Sequence, residues 1–111
     1  MTKLLKTSLL DNLPTVAGPE EQFQALLTDR NVRIERIVSF GHCSPDNFWY
    51  EQRQAEWVTV IQGEAVLAIE GQEDMHLFPG DSVNIPALKK HRVVWTTPQQ
   101  PTVWLAVFYG D

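Results

Sequence analysis

The apolar period changes at Val32, and that change limits what the chain can become. Beyond it, β-branched and aromatic residues fall in short alternating runs separated by turn signals: VRIERIVSF (32–40), FWYEQ (48–52), EWVTVIQ (56–62), EAVLAIE (64–70), DMHLF (74–78), DSVNIP (81–86), RVVWT (92–96) and TVWLAVFY (102–109). A period of two puts successive side chains on opposite faces, so each run predicts a strand. Glu70-Gly71-Gln72-Glu73 reads as a hairpin connection. In Phe78-Pro79-Gly80-Asp81, proline and glycine sit where a type II turn requires them. Many short strands with no helical period among them predict a sandwich or a small barrel.

Ahead of Val32 the pattern differs. Leu4, Leu5, Leu9, Leu10 and Leu13 are scattered before Pro14 and the Gly18-Pro19 break, which predicts an N-terminal arm lying on the domain. Pro19, Glu20 and Glu21 suit a first helical turn, and Phe23, Leu26 and Leu27 follow at i, i+3 and i+4. The expectation is a short helix ending near Asp29. Residues 1–31 would then be an arm and helix packed on a barrel of residues 32–111.

A chain of 111 residues, 43% hydrophobic, suits one domain with one core. Its net charge of −5 opposes a phosphate backbone, so nucleic acid is not an expected partner. The apolar run in MTKLLKTSLLDN is cut by Asp11 and Asn12 before it is long enough for export, and no later stretch approaches a membrane span. The expected location is the cytoplasm. The single Cys43 has no internal disulfide partner and reads as a buried or half-buried thiol. Its neighbour His42 would face the other way on an extended segment, which is a poor arrangement for a Cys-His couple.

Around residue 50 the spacing becomes specific. Tyr50, Gln52, Glu56, Val58 and Val60 share parity, giving one face that is polar at one end and apolar at the other. Glu56 precedes Gly63 by six intervening residues; Gly80 precedes Pro86 by five, and His91 lies five beyond that proline. These positions resemble the cupins, whose first motif runs G-x5-H-x-H-x3,4-E-x6-G and whose second runs G-x5-P-x-G-x2-H-x3-N. The resemblance spans roughly residues 40–109. It implies an all-β double-stranded β-helix, or jelly-roll, barrel of the RmlC-like kind, close to the small stand-alone bacterial cupins.

Taken position by position, Glu56, Gly63, Gly80, Pro86 and His91 match. Tyr50 and Gln52 stand where the first motif has its two histidines, Leu88 replaces the glycine of the second motif, and Trp95 replaces its asparagine. In metal-dependent relatives, three imidazoles and a carboxylate hold a divalent transition metal. Two of those nitrogen donors are missing here. The resemblance therefore leaves two alternatives: a degenerate set of Glu56, His91 and Gln52 holding zinc, iron, manganese or nickel, or a metal-free barrel with a hydrogen-bonded Glu-His pair. A four-residue spacing would turn Glu51 inward in place of Gln52, and His42 is a further recruit.

Other residues carry weaker signals. Arg36 interrupts the apolar even positions of 32–40, and either forks onto a ligand carboxylate or phosphate or turns outward at a bulge. Trp95 shares parity with His91 and is expected to wall the same cavity. Trp49 and Trp57 have the opposite parity to Glu56 and point to an outer face for a homodimer interface or the arm. His76 reads as a surface or strand-partner residue. The expected ligand is a small molecule held by Arg36, Tyr50, Gln52 and Trp95, with Glu56 and His91 as candidate acid and base. A non-catalytic binding, regulatory or structural barrel is the alternative reading.

Overall fold

The computed structural model describes residues 2–110 and is built from eight strands, with no helix among those residues. They are β1 (Gln22–Asp29), β2 (Val32–Ser39), β3 (Ala55–Gln62), β4 (Ala65–Ile69), β5 (Met75–Leu77), β6 (Ser82–Ile85), β7 (His91–Thr96) and β8 (Thr102–Tyr109). A five-stranded sheet of order β1-β2-β8-β3-β6 faces a three-stranded sheet of order β5-β4-β7. All pairings are antiparallel. Accordingly, no helix is long and apolar enough to cross a membrane.

The helix expected over 19–29 is instead β1, paired with β2 from Gln22↔Val38 to Asp29↔Val32. A bulge between Ala25 and Leu27 places Leu26 out of register, so apolar residues three and four apart arise from a strand with one extra residue. Asn31, in the left-handed region at φ 59°, closes the tight turn to β2. The run 48–52 is not a strand either. Only Tyr50 pairs, through reciprocal backbone bonds with His91 of 2.8 and 3.1 Å.

The core lies between the sheets, where Val58, Val60, Leu67, Ile69, Ile85 and Trp104 are nearly sealed from solvent. Phe78-Pro79-Gly80-Asp81 closes as a turn, with the Asp81 amide donating to the Phe78 carbonyl at 2.9 Å and Gly80 at φ 93°. Gly63, also at φ 93°, is more tightly held: an added Cβ would lie 2.6 Å from the Thr102 Cα. That close approach joins the end of β3 to the start of β8, and so fixes the wall that carries Glu56.

Candidate functional site

Glu56 and Val58 on β3, His91 and Val93 on β7, Glu35 and Ile37 on β2, and Trp104 and Phe108 on β8 send side chains into one cavity of about 130 Å³. Tyr50 and Gln52, from the segment before β3, line it as well. The exposed residues in its lining are Phe23 (62%) and Tyr50 (38%), which mark the mouth.

Glu56 and His91 are both buried, and His91 Nε2 lies 3.4 Å from Glu56 Oε1. The same carboxylate oxygen accepts from the Gln52 amide at 3.0 Å. On its other side, His91 Nδ1 is 3.0 Å from the Lys89 carbonyl, an acceptor only, so that nitrogen carries a proton. The ring is held between two acceptors, which favours the imidazolium. Burial opposes that charge, but the Glu56 hydrogen bond, the Lys89 carbonyl and the Glu56 charge outweigh it, and the His91 pKa is raised. Tyr50 stacks on His91 with centroids 5.8 Å apart. Burial, then the charges of Glu21 and Glu56, raise its pKa against an opposing hydrogen bond from Ser44, so the phenol remains a proton donor.

Of the residues singled out in the sequence, Tyr50, Gln52, Glu56 and His91 come together here. Glu51 turns away, 3.9 Å from Lys90. Arg36 does not reach the cavity. Odd positions of β2 line it, while the buried Arg36 guanidinium donates to the carbonyls of Leu9 (3.1 Å) and Asp11 (2.6 Å) and ties the arm to the opposite face. Trp95 is outside it too. A bulge in β7 pairs Trp95 with Val66 but Val93 with Leu67, leaving Val94 extra, which reverses parity and sends Trp95 outward beside His76. Cys43 is exposed rather than half-buried. Its neighbour His42 turns inward, accepting from the Phe40 amide (2.8 Å) at Nδ1 and donating to the Gly18 carbonyl (2.7 Å) from Nε2. Both ring nitrogens are thus committed to backbone, leaving His42 neither a metal donor nor a base for Cys43.

Glu21, Phe23, Glu35 and Trp104 also line the cavity, with no motif in the sequence to mark them. Helical periodicity concealed the first two, and the parity assigned to β2 from its apolar even positions concealed Glu35.

The donors present do not complete a cupin metal centre. Glu56 and His91 are two strong ligands and Gln52 a weak neutral one, whereas catalytic sites keep at least three protein ligands. No group of three histidine, cysteine, aspartate or glutamate side chains converges among the described residues.

Two facing antiparallel sheets with a polar floor in an otherwise apolar interior define a small β-barrel with an internal cavity. The family follows from the sequence in that barrel: residues 41–108 match the Cupin domain model, and the chain belongs to the cupins. It is 42% identical to a protein from Ralstonia eutropha JMP134 provisionally named a mannose-6-phosphate isomerase, with 97% of this chain and 100% of that one covered and a TM-score of 0.93. A cupin superfamily protein from Desulfitobacterium hafniense DCB-2 shares the fold at 20% identity, with 98% and 94% covered and a TM-score of 0.76. So does an RmlC-like cupin from Methanocaldococcus jannaschii, at 19% identity, 98% and 92% covered and a TM-score of 0.70. No curated protein matches the sequence.

Proposed function

We propose that this cupin binds a small molecule in the cavity around Glu56 and His91 and moves a proton on it, using that pair as base and acid. The observation that carries the reading is the buried His91 ring, held between the Lys89 carbonyl and the Glu56 carboxylate in the lining of the cavity. A carbon acid next to a carbonyl would lose its proton to the Glu56 carboxylate, while the imidazolium gives its Nε2 proton to the carbonyl oxygen. In an α-hydroxy carbonyl compound, Glu56 then returns its proton to the former carbonyl carbon while the neighbouring hydroxyl gives its proton back to His91, which completes an isomerisation and restores both side chains. The isomerase name of the Ralstonia protein agrees with this class of step. No part of the step passes through a metal, because the donor set is short by a ligand.

The test is solvent deuterium entry into small carbonyl compounds, followed by NMR. Exchange is expected with wild-type protein, is expected to persist after dialysis against chelator, and is expected to disappear in Glu56→Gln and in His91→Gln. A compound that occupies the cavity without exchanging would reduce the protein to a binding module. Exchange abolished by chelator alone would put a metal back into the site.

We also propose a homodimer through β1. This edge strand is exposed at every residue, carries Phe23, Leu26 and Leu27, and is uncharged from Gln22 to Thr28. A second copy running antiparallel across a two-fold axis would satisfy its free backbone edge with no like-charge contact.

A further inference from the structure

The charged groups facing the cavity are unbalanced. Three are carboxylates, Glu21, Glu35 and Glu56, and His91 is the single side chain in the lining that can carry a positive charge. Glu56 is matched by His91, and Glu35 by Arg33, whose Nε lies 2.9 Å away. Glu21 has no cationic partner among the described residues.

Its position is nonetheless fixed. The Ser39 hydroxyl donates to Glu21 Oε2 and in turn accepts from the Trp104 indole N–H at 3.1 Å. Ser39 is fully buried and Trp104 nearly so. This chain of bonds fixes the Glu21 carboxylate on the N–H side of the indole, with the Ser39 hydroxyl between them, and Glu21 and Trp104 both line the cavity. A carboxylate next to an aromatic ring is an arrangement that selects an organic cation. The protein itself uses it nearby: the Arg33 guanidinium is bound to Glu35 and stands 4.3 Å from the centre of the Phe108 ring.

We infer that the cavity's ligand carries a small alkylammonium group, protonated or quaternary, seated against Glu21 and the aromatic walls of the cavity, and that phosphorylated sugars are excluded. A phosphate would enter against an unmatched carboxylate and find no free cation in the lining, since the one imidazolium is engaged with Glu56. An alkylammonium group meets the opposite conditions: its charge is complementary, and its methyl groups suit the apolar walls.

The inference rests on the reading of this cavity as the ligand site, and the probes separate the two. Calorimetric titrations would use tetramethylammonium chloride, the neutral tert-butanol of similar shape, and mannose 6-phosphate, against wild type, Glu21→Gln and Glu21→Asp. Tetramethylammonium is expected to bind wild type more tightly than tert-butanol, by roughly tenfold, and to lose that advantage in Glu21→Gln but keep part of it in Glu21→Asp. Mannose 6-phosphate is expected not to bind. Equal binding of the cation and the alcohol, insensitive to Glu21→Gln, would overturn the charge selectivity and leave the small-molecule site standing. Saturable binding of mannose 6-phosphate alone would also overturn it. Binding of none of the three would count against both readings.

Discussion

At the scale of single residues, His91 has the clearest consequence. Its pKa is raised in the folded protein because Glu56 and the Lys89 carbonyl outweigh burial. A raised histidine binds more protons folded than unfolded, so its contribution is full below the unfolded value of about 6.5 and is lost as pH rises through the folded pKa. Glu56→Gln removes the carboxylate and leaves burial opposed by the Lys89 carbonyl, so the His91 titration followed by NMR is expected to move to lower pH. The decline in stability over that window should flatten or reverse. An unchanged titration would mean that the 3.4 Å pair carries no coupling. Glu56 and His91 were legible from spacing because they sit near the starts of β3 and β7, ahead of the bulge in each strand. Arg36 and Trp95 were not, since each side chain's face depends on strand pairing and bulges, which a parity count does not see.

At the scale of elements, two turns test how backbone conformation holds the site. Gly63 combines a φ of 93° with a 2.6 Å approach of its would-be Cβ to Thr102 Cα, both of which a side chain opposes. Gly63→Ala is expected to cost about 2–4 kcal/mol in urea unfolding, from left-handed strain plus overpacking. Leu88 presents the reverse case. It occupies the position where the cupin motif has glycine, and it keeps the glycine's conformation, with φ 66°. Being exposed, it loses little packing on substitution. Leu88→Gly is therefore expected to stabilise by roughly 0.5–1 kcal/mol, the relief of left-handed strain exceeding the added freedom of the unfolded chain. A destabilised Leu88→Gly would show that the leucine packs on something that offsets its strain. The Leu88 amide also donates to the Gln52 carbonyl at 2.7 Å, so this turn places Gln52 at the cavity. The β1 segment was misread as helical for a related reason: the bulge at Leu26 imitates a helical spacing on a strand.

At the scale of the whole molecule, the exposed β1 edge and the proposed dimer lead to a mass measurement. Light scattering at micromolar concentration is expected to give twice the chain's 12.7 kDa, and Phe23→Glu with Leu27→Glu is expected to halve it by setting like charges across the two-fold axis. A monomeric wild type would end the proposal. Phe23 also lies at the cavity mouth, so the edge that would join two copies borders the ligand's entrance.

The sequence by itself determined the β architecture after Val32, the turn at Pro79-Gly80, and the motif positions of Glu56 and His91. Each is a local property: alternation sets strands, proline and glycine set φ, and short spacings survive when no bulge intervenes. The tertiary structure decided which face each strand turns to the cavity. It made β1 an edge strand, set Arg36 to hold the arm, and brought Glu21 and Trp104 together through Ser39 from three separate segments. Those outcomes depend on pairings between residues far apart in the chain, where a one-residue shift reverses every side chain, and no local pattern encodes that choice.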